Sequence, residues 1–366
     1  MGWQQTALSK MLGVRFPIVQ GPFGGGLSSV ELAATVSNAG GLGSFGAHHL
    51  APAAIVELVS TLRQQTDKPF NINLWVSDHD PGALSMTAEA YQQHLQQMMP
   101  LYQRLDIEPP RQPDSFTHRF EDQIQAVLDA RPPVFSCVYG IPSADIVEQC
   151  KRRNIFLLGT ATTVKEALAL QDAGVDAVVA TGFEAGGHRV SFIDEAETVL
   201  TGTLSLIPQV VDALHIPVIA AGGIADARGI AAALVLGAQG VQIGTAFLAC
   251  DESATIAAHK TLLRSGQVRN TVLSRRMTGR LARFISNEVL RELEALPQLP
   301  FPLQSWFYGP IKRASAARND ARHFSLYASQ SVSLLKHHQA DALLRDLVDG
   351  VDRIYSSISN PATTGA

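Results

Sequence analysis

The chain has 366 residues, of which 46% are hydrophobic and 17% charged, and its formal net charge is −4. This length and composition predict a globular fold with a large core and exclude a disordered chain. The slight negative charge gives no electrostatic reason to expect binding to nucleic acid or to an anionic membrane.

Cysteine usage and the first residues bear on the cellular compartment. The three cysteines, Cys137, Cys150 and Cys250, are widely spaced, so neither a disulfide framework nor a zinc site is expected. The N-terminal stretch has no signal-peptide pattern and no apolar run long enough to span a membrane. We therefore expect a cytoplasmic protein that holds no metal.

Apolar runs typical of strands alternate with helical segments through residues 1–250. Ser28 with Glu31, and Thr163 with Glu166, have the spacing of capping boxes at helix starts. Parallel strands joined by crossover helices are the economical arrangement, and eight strands favour a closed (β/α)8 TIM barrel over an open sheet. The predicted strands are 16–20, 43–46, 70–76, 134–140, 155–160, 177–180, 217–223 and 240–248.

Two segments depart from this alternation. Residues 77–133, after the third strand, are polar and Gln-rich, with helical stretches near 88–99 and 121–130. An insertion of this length usually covers or flanks an active site as a lid, although a floppy connector is the alternative. Residues 251–366 predict a mostly helical C-terminal subdomain that packs on the barrel, with an extended, aromatic-rich loop at 297–310.

The stretch AVVATGFEAGGHR at 177–189 is the first candidate for chemistry. It is a buried strand followed by Gly186 and Gly187 and then by His188. The loops after the strands of an α/β barrel carry its active site, so His188 is a candidate catalytic residue. From this stretch alone, a loop histidine that binds nothing is the alternative.

Glycines at the last two strand ends are the second candidate. Gly222 and Gly223 follow the seventh strand and are expected to open a helix, where unpaired N–H groups can hold a phosphate. Gln242, Gly244 and Thr245 lie at the eighth strand and could add donors. Tight turns without a ligand are the alternative. The chain has neither a dinucleotide fingerprint nor a P-loop motif.

From 17 to about 349, the chain resembles the nitronate monooxygenase family, formerly the 2-nitropropane dioxygenases. The motifs that carry this resemblance are PIVQGPFGGG near the start, VSNAGGLGSFGA at 36–47, PFNINLWV at 69–76, GFEAGGHR at 182–189, PVIAAGGIADARGIAAALVLGAQGVQIGTAFL at 217–248, PFPLQS and LYASQ.

The resemblance implies an FMN-dependent barrel that oxidises alkyl nitronates, and in some cases nitroalkanes, with O2 to a carbonyl compound and nitrite. Its partners would be a small-molecule substrate and O2, with a homodimer as a possible assembly. It assigns catalysis to His188. It assigns FMN binding to Gly21, Pro22, Phe23, Asn73, Thr181, Gly186, Gly187, Gly222, Gly223, Gln242, Gly244 and Thr245.

Three positions depart from the family pattern and bear on the substrate. Thr181 stands where the family has Gln or Lys, while Val190 and Ser329 each replace a glycine. Two other functions therefore stay open. One is an FMN-dependent NAD(P)H oxidoreductase of the same fold, such as an enoyl-acyl-carrier-protein reductase or a quinone reductase. The other is a flavin-binding protein without turnover, against which His188 argues.

Other polar and aromatic residues are weaker candidates. The sequence predicts surface or lid positions for two histidine pairs, a solvated turn at 78–80, and either a pocket roof or core packing for three consecutive aromatic residues. The residues are His48, His49, His337, His338, Asp78, His79, Asp80, Trp306, Phe307 and Tyr308.

Overall fold

Eight parallel strands form the barrel in a computed structural model that describes residues 2–77, 79–80 and 85–359. The barrel strands are β1 (Ile18–Gln20), β2 (Gly43–Gly46), β3 (Phe70–Trp75), β4 (Val134–Val138), β5 (Phe156–Ala161), β6 (Ala177–Thr181), β8 (Val218–Ala221) and β9 (Gly240–Ile243). A short strand outside the barrel, β7 (Gly187–His188), lies between β6 and β8 in the sequence. The barrel order is β1-β9-β8-β6-β5-β4-β3-β2, and a parallel bridge between Val19 and Leu42 closes the ring. The predicted eight-stranded TIM barrel is confirmed.

Fourteen helices are found in the described residues. They are α1 (Ala7–Leu12), α2 (Val30–Asn38), α3 (Pro52–Gln65), α4 (Ala88–Arg104), α5 (Phe120–Ala130), α6 (Ala144–Arg152), α7 (Val164–Ala173), α8 (Thr203–Ala213), α9 (Ala227–Val235), α10 (Thr245–Leu248), α11 (Ala257–Arg264), α12 (Glu288–Glu294), α13 (Leu303–Ala317) and α14 (Ala340–Ser359). None of them is both long and apolar enough to cross a membrane.

The helix starts follow the expected capping chemistry with one shift. Thr163 Oγ1 accepts a hydrogen bond from Glu166 N at the start of α7, as predicted. At α2 the cap is Ser29, whose hydroxyl accepts from Leu32 N, and the predicted cap Ser28 is wrong. Ser28, one residue before the cap, has another role. Its hydroxyl donates to the Phe23 carbonyl and so holds the loop after β1 in place.

The insertion contributes α4 and α5, and these helices pack on different parts of the molecule. Helix α5 packs on α3 of the barrel, where Gln123 Nε2 donates to the carbonyls of His48 and Leu50, both at 2.8 Å. Helix α4 buries Tyr91 and Tyr102 in an aromatic cluster with Phe307 of α13. The helical parts of the insertion are therefore packed segments and not a floppy connector.

The C-terminal segment contains strands that the sequence did not indicate. Strand β10 (Val272–Ser274) pairs with β11 (Ala282–Phe284), and β11 pairs in turn with β7, so that Ala282 lies opposite His188. This small antiparallel sheet ties the C-terminal segment to the loop that carries His188.

Two predicted boundaries in the second half are wrong. The last barrel strand ends at Ile243, because Gly244 (φ −98°, ψ −78°) turns the chain into α10. The predicted loop at 297–310 becomes helical from Leu303, with Pro310 inside α13. Helix α13 forms because its apolar residues recur at helical spacing and bury one face, which outweighs the hydrogen bond that Pro310 cannot donate.

Candidate active site

A single cavity of about 270 Å³ collects every predicted site residue at the carboxyl ends of the barrel strands. Parallel strands bring their carboxyl ends to one edge, so residues distant in sequence meet there. The predicted residues that line the cavity are Gly21, Pro22, Phe23, Asn73, Thr181, Gly186, Gly187, His188, Gly222, Gly223, Gln242, Gly244 and Thr245. Their roles as catalytic and FMN-binding residues stay predictions.

His188 is held in one orientation by a hydrogen-bond chain. Its Nε2 lies 2.9 Å from Thr278 Oγ1, and the Thr278 hydroxyl donates to the Arg280 carbonyl at 3.2 Å. Thr278 Oγ1 also accepts from Arg280 N at 3.3 Å, so the tautomer of His188 follows from the direction of the Thr278 hydroxyl proton. When that proton points to the Arg280 carbonyl, Oγ1 accepts from His188 and the imidazole carries its proton on Nε2. Nδ1 is then the unprotonated nitrogen, which can accept a proton.

The surroundings of His188 keep the imidazole neutral. Burial, followed by the nearby charges of Arg280 and Lys312, lowers the pKa of His188 to about 3. A negative charge that develops on a substrate in the cavity would oppose these effects and favour the imidazolium form. His188 therefore suits proton transfer to a bound group that becomes anionic as the proton leaves.

The glycine cradle consists of main chain brought close to the cavity. Gly222 and Gly223 have φ values of +103° and +70°, which side chains rarely adopt. A methyl group on Gly222 would lie 2.8 Å from Thr203 Oγ1 and 2.9 Å from the Gly182 carbonyl oxygen. The expectation that these glycines open a helix is wrong, because Asp226 caps α9, which begins at Ala227. A loop with left-handed glycines thus precedes the helix.

The helix that does begin at the cavity is α10. Gly244 precedes it without a side-chain cap, so the first N–H groups of α10 have no side-chain acceptor. Thr245 Oγ1 accepts from Ser329 N at 3.0 Å, which leaves its hydroxyl proton available for a ligand. This contact also brings the C-terminal segment to the cradle.

Buried polar side chains lie at the cavity or next to it, and Asn73 is one that lines it. Asn73 is buried, and its Nδ2 donates to the Ser136 hydroxyl at 2.9 Å, so only the carboxamide oxygen is left for a ligand. Arg189 is also buried, and its guanidinium donates to the carbonyls of Thr181, Thr162 and Val199. These bonds connect the ends of β5 and β6 to the segment after His188 and hold that segment in place.

His48 was predicted at the surface or in a lid, and this prediction is wrong. The ring lines the cavity and stacks on Trp75, with centroids 4.0 Å apart and an interplanar angle of 11°. Its sequence neighbour His49 is exposed, as predicted. Because β2 and β3 are adjacent strands, residues at their carboxyl ends meet at the same edge of the barrel. The position of His48 just after β2 could therefore have indicated that it lies at the cavity.

Lys312 is a cavity residue that sequence analysis missed. It comes from α13, and its Nζ donates to the Gly25 carbonyl at 2.7 Å. No carboxylate lies within salt-bridge distance of Nζ in the described residues. Burial lowers the pKa of Lys312 to about 8, so the ammonium group stays largely charged at neutral pH. No local pattern marks this lysine, because the packing of α13 brings it to the cavity.

Arg280 is a second buried cation near His188, but its charge is compensated. Its Nε donates to Asp80 Oδ1 at 2.8 Å, and Asp80 Oδ2 accepts from Phe301 N at 2.9 Å. The predicted solvated turn is therefore wrong at Asp80, whereas Asp78 lies outside the described residues. The guanidinium also lies over the rings of Tyr139 and Phe301, at 4.0 and 4.5 Å from their centroids.

The remaining weaker candidates separate into cavity and core. Tyr308 lines the cavity, whereas Phe307 is fully buried in the aromatic cluster with α4 and Trp306 packs against that cluster. His337 bonds to Asp346 at 2.9 Å through its Nε2. Neither His337 nor His338 lines the cavity.

Outside the cavity, one cluster in the described residues has side chains that could bind a metal. Glu288, Glu292 and His323 place one donor atom each within 4.8 Å of one another. Arg104 already lies 3.5 Å from Glu288 and 2.6 Å from Glu292, so a guanidinium occupies both carboxylates. We read the group as an ion-pair network between α4 and α12.

Comparison with known proteins shows which family the chain belongs to. The family model described as nitronate monooxygenase matches residues 5–350. A probable nitronate monooxygenase of Staphylococcus saprophyticus is 38% identical over 353 residues, which cover 95% of this chain and 98% of that protein.

Solved structures agree with the sequence match. Nitroalkane oxidase from Streptomyces ansochromogenes superposes with a TM-score of 0.87 at 33% identity, covering 96% of this chain and all of that one. FabK from Thermotoga maritima superposes with a TM-score of 0.75 at 26% identity, covering 97% and 98% of the two chains. With a family model that spans nearly the whole chain and a relative above 30% identity, the chain belongs to the nitronate monooxygenase family.

Proposed function

We propose that the protein binds FMN and uses O2 to oxidise alkyl nitronates, and the nitroalkanes from which they form, to a carbonyl compound and nitrite. The observation that carries the proposal is the joint presence in one cavity of three features: an imidazole nitrogen, an ammonium group and a glycine cradle. Among the residues that the structure describes, that nitrogen has no hydrogen-bond partner and the ammonium group has no carboxylate partner. Proton removal, anion binding and phosphate binding are the three tasks that this reaction demands of the protein.

The cradle fits the terminal phosphate of FMN. Main chain from Gly222, Gly223 and Gly244 borders it, and a side chain on Gly222 would collide with the Thr203 hydroxyl. The Thr245 hydroxyl and the N–H groups at the start of α10 supply donors for phosphate oxygens. Bound FMN would supply the electron transfer between substrate and O2, which no side chain of the cavity can perform.

Lys312 favours an anionic substrate. Its ammonium group is buried, and its one hydrogen bond within the described residues runs to the neutral carbonyl of Gly25. A buried cation without a counter-ion is costly, and an anion in the cavity would compensate this cost. A nitronate carries one negative charge shared by two oxygens, whereas a quinone or a thioester carries none. The charge of the cavity therefore supports nitronate over those substrates.

His188 extends this chemistry to neutral nitroalkanes. The proton on the carbon next to the nitro group moves to His188 Nδ1, and the electron pair of the broken C–H bond moves onto the nitro oxygens. Thr278 holds the opposite nitrogen, so that Nδ1 stays unprotonated before the reaction. The imidazolium that forms and the ammonium of Lys312 both stabilise the new anion.

The test is to measure nitrite and O2 consumption with ethyl, propyl and butyl nitronates and the matching nitroalkanes. The purified protein should be yellow, and the released cofactor should run as FMN. Nitrite should form with O2 uptake, and NADH or NADPH alone should leave the flavin oxidised under anaerobic conditions. Rapid anaerobic reduction by NADPH without nitrite production would replace the proposal by the reductase alternative, for which the likeness to FabK is the supporting observation.

A further inference from the structure

His48 provides a second histidine next to His188. It follows β2 at the same barrel edge, and its ring stacks on Trp75 with centroids 4.0 Å apart. The rings of Trp75 and His188 lie edge to face, with centroids 5.1 Å apart and planes at 73°. Trp75 thus contacts both histidines, and all three side chains line the candidate active site.

The position of His48 is fixed from three sides. Its ring face is covered by Trp75, and a methyl group on Gly24 would overlap the ring atoms Cε1 and Nδ1. The main chain is held from the insertion, where Gln123 Nε2 donates to the His48 carbonyl at 2.8 Å. A side chain held in this way presents its polar atoms in a defined direction, as substrate-binding groups require.

The two ring nitrogens of His48 differ in their surroundings. Nδ1 has no contact with solvent and no hydrogen-bond partner among the described residues. A buried N–H without an acceptor is rarer than a buried acceptor without a donor, so the single proton belongs on Nε2. Burial, followed by the charges of His49 and His188, lowers the pKa of His48 well below its usual value, so the ring is neutral at pH 7.

We propose that His48 is a substrate-binding residue whose Nε2–H donates a hydrogen bond to an oxygen of the nitro or nitronate group. This inference rests on the proposed function and deepens it. As the α proton leaves for His188 Nδ1, negative charge grows on the nitro oxygens. A fixed N–H donor directed at one of these oxygens stabilises that charge. The two histidines then have different roles, since His188 accepts the proton and His48 binds an oxygen of the nitro group.

The variant His48→Phe tests the donor, because phenylalanine keeps an aromatic ring on Trp75 and removes the N–H group. Two readouts are needed on the FMN-loaded protein. One is kcat/KM for ethyl nitronate. The other is the anaerobic binding of nitrite, an anion with two oxygens on nitrogen, followed by calorimetry. Loss of a hydrogen bond to a charged group predicts a decrease of about 10-fold in each.

Matched variants separate the donor from a structural effect. His48→Gln, which keeps an N–H donor, should recover part of both losses. His49→Phe changes the exposed neighbour and should leave both unchanged, and all variants should keep the FMN content of the wild type. Wild-type nitrite binding and turnover in His48→Phe would overturn the inference, as would a wild-type protein that binds no nitrite. Weaker nitrite binding in His48→Phe, with no nitronate turnover by the wild type, would support His48 and reject the proposed function.

Discussion

His188 Nε2 and Thr278 Oγ1 lie 2.9 Å apart, and this contact orients the imidazole of the candidate base. The contact joins two distant parts of the chain, since β11 pairs with β7 and places the segment that carries Thr278 beside His188. The C-terminal segment therefore helps to orient a histidine that the barrel loop carries.

Replacing Thr278 with valine should impair proton abstraction more than it impairs nitronate oxidation. Valine keeps the shape and removes the acceptor for Nε2–H, so the proton can shift to Nδ1 and block the base. An unsatisfied buried donor costs about 1–3 kcal/mol, which corresponds to a loss of roughly 5- to 100-fold in kcat/KM for nitroethane. Thr278→Ser keeps the hydroxyl and should stay near the wild-type rate. Equal rates for Thr278→Val and Thr278→Ser would show that the tautomer does not matter.

The cradle is best tested at Gly244. A substitution at Gly223 would strain the main chain, since its φ is +70°, and folding could fail for that reason alone. At Gly244, φ is −98° and an added Cβ would meet only Phe23 Cε1 at 3.8 Å, so the main chain tolerates a side chain. Gly244→Val should fold with an unchanged far-UV spectrum and lose most bound FMN, with Gly244→Ala intermediate. Full flavin content in Gly244→Val would place the phosphate elsewhere.

Lys312 predicts how substrate binding depends on pH. Its pKa of about 8 means that the ammonium group is charged below pH 8 and neutral above it. Nitronate affinity should therefore be highest below pH 8 and fall as the pH rises through that value. Lys312→Arg keeps a charge at all these pH values and should remove the alkaline loss, whereas Lys312→Met should bind nitronate weakly throughout. Measurement of KM between pH 6.5 and 10 decides this, and an alkaline loss that persists in Lys312→Arg would assign it to another group.

Acid stability should depend on His259, a buried histidine outside the cavity. Its Nδ1 bonds to Thr255 Oγ1 and its Nε2 to the Tyr327 carbonyl, and burial lowers its pKa to about 3. In the unfolded chain, His259 takes up a proton as the pH falls below about 6.5, whereas in the folded protein it stays neutral until about pH 3. The folded state therefore loses stability relative to the unfolded state as the pH falls from 6.5 towards 3. At pH 5 this loss is about 2 kcal/mol.

The control for this loss is His259→Gln, which has no titrating group at the site. Urea unfolding at pH 7 and pH 5, at equal flavin saturation, should show a larger loss of unfolding free energy in the wild type than in His259→Gln. Identical losses in the two proteins would mean that His259 titrates normally in the folded state.

The barrel and the predicted site residues could be found from the sequence because their signals are local. Each strand is a short apolar run that ends at a glycine or a polar residue, and the ends of parallel strands meet at one edge. His188 and the cradle glycines lie at such ends, so their approach to one another follows from the fold. The same reasoning extends to His48 and Trp75, which lie at the ends of two adjacent strands, but no local pattern in the sequence indicates that their rings stack.

Other site residues could not be found in this way. Thr278 and Lys312 come from the C-terminal segment, and their positions depend on the pairing of β11 with β7 and on the packing of α13. Helix α13 was not predicted either, because the prolines at 297–310 indicate a loop. The buried face that stabilises this helix packs against α4 of the insertion, and no local pattern shows that contact. Long-range packing therefore decides the positions of Thr278 and Lys312, whereas local patterns decide those of His188 and the cradle glycines.

The proposed role of His188 is to remove the α proton, and a comparison of two substrates tests this role directly. His188→Asn keeps a polar side chain of similar reach but cannot act as a base. General-base catalysis contributes about 10²- to 10⁴-fold to the rate. His188→Asn should lose a factor in this range in kcat/KM with neutral nitroethane and much less with pre-formed ethyl nitronate, at unchanged FMN content. Equal losses on both substrates would contradict the claim and make His188 a binding group for the anion.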